Sequence, residues 1–143
     1  MIGASREAAS TKVVERCRRP RNAGSFPPGE PGVGTGTVGE AAKGDLVRIQ
    51  LRFGEGGRIE EARFKVFGCG SSIACASLAA EWATGRTLDE ALEIRNDDIA
   101  RELELPEEKI HCSVLAEDAL RAALEDFLDR GEADRKTTSG GNT

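Results

Sequence analysis

Val47, Ile49, Leu51 and Phe53 alternate with Arg48, Gln50 and Arg52, the period-two pattern of a strand with one buried face. Gly54-Glu55-Gly56-Gly57 interrupts the pattern, and Ala62, Phe64 and Val66 then alternate with Glu61, Arg63 and Lys65. Two such runs joined by a glycine-rich turn predict an antiparallel hairpin. Thr35 to Val38 is a candidate third strand. After the strands the period changes. Ser71 to Thr84 carries Ile73, Ala76, Leu78, Ala80 and Trp82 on nearly every side, predicting a buried helix that Gly85 ends. Thr87-Leu88-Asp89-Glu90 is a capping box opening a short helix, and Asn96 or Asp97 is placed to cap another that stops near Leu103, ahead of Pro106. From about Ser113 to Arg130, Ala116, Leu120, Ala123, Leu124 and Phe127 recur at helical spacing.

Before the strands, Thr11 to Arg18 predicts a turn or two of helix ended by Pro20. Arg21 to Gly36, rich in Gly and Pro, predicts a long loop of the kind that often carries function. Strands followed by helices mean an α+β fold, with helices against one face of an antiparallel sheet. Residues 1–12 are expected to be a flexible terminus, 13–130 the folded domain and 131–143 a disordered, polar tail.

Composition narrows what such a domain can do. The 143 residues carry a formal charge of −5, without the basic excess of a nucleic-acid-binding protein. No apolar run approaches the ~18 residues of a spanning helix, and Met1 to Ser10 lacks the apolar core of a secretory signal, so a cytoplasmic, membrane-free protein is expected. One basic run departs from the average: Lys12, Arg16, Arg18, Arg19 and Arg21 with the single acid Glu15. It reads either as a solvated helix end or as a docking patch for an acidic protein. Five Phe, one Trp and no Tyr leave little for stacking bases or sugars.

The four cysteines, Cys17, Cys69, Cys75 and Cys112, point in a reducing compartment to free thiols, metal ligation or sulfur chemistry. Cys69 stands in Gly68-Cys69-Gly70-Ser71, where a predicted strand gives way to a predicted helix. Cys112 stands in His111-Cys112-Ser113, directly before the last helix. At helix N-termini the unpaired N–H groups stabilise thiolates. Spacing alone leaves a reactive site and ordinary buried thiols equally open, and no Cys-x-x-Cys marks structural zinc. Cys75, inside the apolar helix, reads as core. Asp45 taken alone reads as a turn carboxylate, and His111 as a hydrogen-bonded residue.

Longer segments carry a family resemblance. Arg19-Pro20-Arg21-Asn22-Ala23-Gly24-Ser25-Phe26, Val33 to Gly39, Ala62-Arg63-Phe64-Lys65-Val66-Phe67-Gly68-Cys69-Gly70-Ser71, Ser77 to Trp82 and Lys109 to Ala119 together resemble the IscU/NifU-type iron–sulfur cluster scaffolds, from about Val13 to Arg130. The resemblance implies a three-stranded antiparallel sheet with helices on one face, the NifU/SufE-like fold. It implies a carrier and not an enzyme, with a surface site for a [2Fe–2S] cluster or iron, or alternatively zinc. The implied ligands are Asp45, Cys69, His111 and Cys112, with Cys112 the persulfide acceptor. The implied partners are a cysteine desulfurase, an Hsp70-type chaperone system and apo iron–sulfur proteins. Thiolates suit iron and zinc, while an oxygen donor such as Asp45 exchanges readily and suits a site that must release its cargo.

The chain also departs from that pattern. The family's first cysteine belongs to Ala-Cys-Gly-Asp, and here the sequence is Ala42-Lys43-Gly44-Asp45. The family's chaperone-recognition segment Leu-Pro-Pro-Val-Lys is Leu105-Pro106-Glu107-Glu108-Lys109, which weakens the expected chaperone contact. Cys17 stands where relatives often have tyrosine and is expected to pack at the surface. The zinc-dependent sulfur-acceptor branch carries an insertion and an arginine in place of the histidine, and neither is present. Lys43 leaves two readings open: a scaffold with a reduced ligand set, or a zinc-holding sulfur acceptor or desulfurase regulator that assembles clusters poorly.

Overall fold

The predicted hairpin forms, and its register explains the core. The computed structural model describes the backbone of residues 11–18, 22–40, 42 and 44–142, and the side chains of 12–15, 22–40, 42 and 44–130. Strands β1 (Val33–Glu40), β2 (Asp45–Phe53) and β3 (Ile59–Phe67) make one antiparallel sheet in the order β1-β2-β3. Around it lie α1 (Thr11–Arg18), α2 (Gly70–Ala83), α3 (Leu88–Ala91), α4 (Asn96–Glu102) and α5 (Ile110–Asn142). Val47 pairs with Val66, Ile49 with Phe64 and Leu51 with Ala62, so the apolar sides of both strands coincide. Val47, Ile49 and Leu51 are wholly buried, and truncating such a side chain to alanine costs on the order of 2–5 kcal/mol.

Two glycines decide how the last helix meets the sheet. Gly34 pairs with Leu51 and Gly36 with Ile49, which places both on the core face. A Cβ at Gly34 would collide with the Ala123 carbonyl oxygen and Phe127, and one at Gly36 with the Ala119 carbonyl oxygen. Bare backbone therefore lets α5 lie directly on β1. The candidate strand at Thr35–Val38 is in this way extended to Val33–Glu40. Beside α5, α2 packs on β2 and β3 through small buried residues including Ala76, Ala79, Ala80 and Ala83.

Among the described residues, no helix packs on the other face of the sheet. The Gly/Pro-rich segment crosses it instead. The Gly24 N–H donates to the Phe64 carbonyl and the Phe64 N–H to the Asn22 carbonyl, both at 2.9 Å, so this segment covers part of the β3 edge. Phe26 then lies over the sheet, its N–H donating to Gln50 Oε1 at 3.0 Å beneath the Arg52 and Arg63 guanidinium groups. The segment expected as a long functional loop is a strap held by cation–π contacts and backbone pairing.

Two boundaries differ from expectation. The capping box at Thr87 and Glu90 is present, but Asn96 is the first helical residue of α4 and not its cap. Its N–H donates to the Glu117 carboxylate of α5, so a distant side chain does the capping. α5 begins at Ile110, three residues before Ser113, because the 3-10 turn Glu107–Lys109 leads straight into it. Its backbone is helical to Asn142.

Candidate functional site

Hairpin geometry builds the site. Leu46 pairs with Phe67, so Asp45, which opens β2, stands opposite Gly68, which follows β3. A Cβ on Gly68 would lie 3.3 Å from Asp45 Oδ1 and 3.2 Å from Ser72 Oγ, so the glycine makes room for both. Cys69 is the N-cap of α2, with extended backbone at φ −81° and ψ 173°. The first turn of α5 then brings His111 and Cys112 to the same end of the sheet. Asp45, Cys69, His111 and Cys112, remote in sequence, are thus neighbours.

Their contacts form a chain. Cys69 Sγ and Cys112 Sγ are 3.7 Å apart, Cys112 Sγ is 3.6 Å from His111 Nε2, and His111 Nε2 is 4.0 Å from Asp45 Oδ2. Two thiolates on one tetrahedral ion, with metal–sulfur bonds of about 2.3 Å, sit about 3.8 Å apart, so the sulfur pair already has the separation that one metal centre requires. Among the described residues, no group of three or more His, Cys, Asp and Glu side chains is gathered to hold a metal ion. The histidine and the carboxylate beside the sulfur pair are partly open to solvent, their side chains 55% and 37% exposed.

The two thiols differ sharply. Cys112 is wholly buried and lies inside the first turn of α5, not before it as predicted. Burial pushes its thiol up to about 11; the Ser72 hydroxyl works the other way, and the charges of Cys69 and Asp45 add to the rise. The expectation that both helix starts would lower a thiol pKa is corrected here, because desolvation outweighs the N-terminal dipole once no water reaches the sulfur. Cys69 is half-buried. Burial is the largest single influence on it, yet the Ser72 N–H and hydroxyl, the Cys112 thiol and the Lys109 charge together hold it below the ordinary thiol value.

Ser72 is the residue that sequence reading passed over. It is buried, its hydroxyl donates to Cys112 Sγ at 3.3 Å, and it lies 3.7 Å from Cys69 Sγ. The available signal was its position three residues after a helix-capping cysteine, where a side chain turns back toward the cap. Lys109 carries no site role in the sequence pattern, yet the 3-10 turn Glu107–Lys109 delivers its charge to Cys69. Cys75 is wholly buried, as a core residue should be. Lys43 and the Cys17 side chain lie outside the described residues. Of the basic run, Lys12 is paired with Glu102 and Glu104, at 4.0 and 3.4 Å; the other side chains lie outside the described residues. Phe67 and Val114 leave large apolar surfaces exposed near the site.

Fold and site define a class: a small α+β protein presenting two thiols, a carboxylate and an imidazole at one end of a three-stranded sheet. Comparison with known proteins places it further. The NifU-like N-terminal domain family matches residues 8–134. The chain is 52% identical over 126 residues to the iron–sulfur cluster assembly scaffold protein IscU of Escherichia coli K12, covering 88% of this chain and 98% of that one. It is 55% identical over 120 residues to IscU of Azotobacter vinelandii, covering 84% and 94%. Among solved structures, a SUF-system protein of Fervidobacterium islandicum superposes with a TM-score of 0.63 over 84% of this chain and 98% of its own, at 22% identity. The chain belongs to the NifU-like N-terminal domain family, as the resemblance of its segments implied.

Proposed function

We propose that this chain is a scaffold on which a [2Fe–2S] cluster is assembled from iron and from sulfur supplied by a cysteine desulfurase, and from which it passes to apo iron–sulfur proteins. The observation that carries the reading is the pair of sulfurs 3.7 Å apart at a sheet end where Asp45 and His111 stand beside them. A cysteine desulfurase, apo-protein recipients and an Hsp70-type chaperone meeting Leu105 to Lys109 are the partners this reading implies, in line with the family resemblance of those segments. The folded domain that does this is residues 13–130.

In this reading Cys69 and Cys112 are the thiolate ligands, Cys112 ends as the persulfide carrier, Asp45 is the exchangeable oxygen donor and His111 the fourth ligand or proton carrier. The cluster is cargo, not a resident cofactor. Partly exposed ligands, one of them a carboxylate, suit a site that has to give its cargo up. As a scaffold and carrier the protein is not an enzyme. No helix among the described residues is long and apolar enough to cross a membrane, and a cytoplasmic place of work is part of the proposal.

Anaerobic reconstitution with ferrous iron, sulfide and thiol tests it, read by visible absorption together with iron and sulfide content. Stoichiometric sulfide held with iron supports the scaffold. Tight zinc uptake with no sulfide retained would favour the zinc-holding sulfur acceptor or desulfurase regulator, the reading that Lys43 in place of the family cysteine keeps open. Repeating the reconstitution with Lys43→Cys, which adds a soft donor, should raise cluster content or lifetime.

A further inference from the structure

The two site thiols do not have equal access to a sulfur donor. Cys112 is wholly buried; around its sulfur stand Cys69 Sγ at 3.7 Å, Ser72 Oγ at 3.3 Å and His111 Nε2 at 3.6 Å. Cys69 is half-buried, and it follows two exposed residues, Phe67 and Gly68, at the rim of the sheet. A desulfurase carries its sulfur as a persulfide on a protein side chain, so transfer requires the two protein sulfurs to meet. At Cys69 they meet on an open rim. At Cys112 the donor would have to push aside Cys69 or His111.

We propose that sulfur enters this protein at Cys69 and reaches Cys112 by transfer between the two thiols. The inference rests on the scaffold reading and adds a first acceptor to it. In the first step the Cys69 sulfur attacks the outer, sulfane sulfur of the donor persulfide. A new bond forms from Cys69 Sγ to that sulfur, the donor's S–S bond breaks, and its electron pair leaves with the donor cysteine, which takes up the proton Cys69 gives up. In the second step Cys112 Sγ attacks the same outer sulfur, now on Cys69. The Cys69 S–S bond breaks, its electron pair returns to Cys69 Sγ, and the Cys112 proton moves to Cys69 across the hydroxyl of Ser72, which touches both sulfurs. The sulfane sulfur keeps its oxidation state throughout, so no oxidant or reductant is needed. An S–S bond is about 2.05 Å long, so a sulfur carried on Cys69 lies within reach of a partner thiol 3.7 Å from its root without backbone movement. Attack on the inner sulfur instead would form a Cys69–Cys112 disulfide and expel sulfide, so that product distinguishes the two courses.

The experiment loads the full chain with a cysteine desulfurase and L-cysteine, quenches with an alkylating reagent at successive times, and maps persulfide by peptide mass spectrometry. In the native protein the Cys69 persulfide should rise first and fall as the Cys112 persulfide grows. Cys112→Ser should keep its persulfide on Cys69. Cys69→Ser should load Cys112 at least about tenfold more slowly than the native protein, with an unchanged circular dichroism spectrum. The native time course needs no variant, so a misfolded substitution leaves the test intact. Equal loading of Cys112 in the native protein and Cys69→Ser overturns the proposal, and so does a native time course in which Cys112 is labelled first. Sulfide released in step with a Cys69–Cys112 disulfide overturns it too. Absence of persulfide on either thiol, with the desulfurase active toward a small dithiol, overturns the scaffold reading together with this inference.

Discussion

The two ends of the sheet treat their polar groups in opposite ways. At the end holding Phe53 and Ile59, Arg52 ties three carboxylates together, Glu30 at 3.0 Å, Glu60 at 2.7 Å and Glu61 at 2.8 Å, and Phe53 stacks on Phe127 with ring centroids 3.8 Å apart. At the end holding Asp45 and Cys69, contacts range from 3.3 to 4.0 Å, and Phe67 is 56% exposed. One end satisfies its charges internally and closes the fold. The other keeps donor atoms close together but weakly engaged, which is what a site for incoming cargo requires. Stability and function are therefore expected to separate along the length of β2.

The largest expected effect is at the open end. Cys69→Ser should reduce the iron and sulfide retained after reconstitution to near zero while leaving the unfolding temperature almost unchanged, because the residue sits at a loop end. An unchanged metal-to-protein ratio would put the site elsewhere. Asp45→Ala should lengthen the lifetime of a reconstituted cluster severalfold against a thiol-bearing acceptor, since in the proposed ligand set it removes the readily exchanged oxygen donor. Decay of visible absorbance measures this, and faster decay would make Asp45 a structural carboxylate.

Next in size is an alkaline effect from Cys112. Its folded pKa of about 11 lies above the ~8.5 of an unfolded cysteine. The unfolded chain therefore loses this proton first as pH rises. The stabilisation is fully present below about pH 8.5 and is lost between there and about 11, a decline on the order of 3 kcal/mol. Urea unfolding of native protein and Cys112→Ala at pH 7 and pH 10 should give curves that converge at the higher pH. A constant gap between the two would place the Cys112 thiol in a wetter setting. Alkylation should likewise reach Cys69 at lower pH than Cys112.

At the closed end, Arg52→Ala should lower stability only slightly, because partly exposed ion pairs contribute little singly, although three carboxylates would be left facing one another. Cluster content should be unaffected, and an equal loss of cluster would mean that the two ends are coupled. The smallest effect is expected from Cys75→Ala, at most about 1 kcal/mol of packing with full metal retention. Metal loss in that variant would bring a buried core thiol into the site.

Much of this was legible from local chemistry. Alternation along Val47–Phe53 and Ala62–Val66 dictates strands and their buried faces, because side chains on a pleated strand point alternately to its two sides. The Thr87–Glu90 capping box dictates a helix start because all its partners lie within four residues. The segments around Cys69 and Cys112 pointed to the family that the comparison then matched. Other features depended on partners far along the chain. The cap on α4 comes from Glu117 of α5, a strand of alternating glycines acquires its purpose only when α5 lies on it, and the Gly/Pro-rich loop becomes a strap only through its pairing with Phe64.

By itself, then, the sequence determined which segments are strands and helices, which faces they bury and which thiols, carboxylate and imidazole are available for chemistry. Only the tertiary structure decided what those groups are to one another. Cys69 and Cys112 look equivalent in sequence, each near a helix start, and a helix start alone favours thiolate. Packing broke that equivalence by leaving one sulfur at the rim, below its ordinary pKa, and burying the other beside Ser72. The physical reason is that exposure and dielectric surroundings arise from elements 43 residues apart in the chain, and no local pattern encodes how much water will reach a sulfur once those elements have packed.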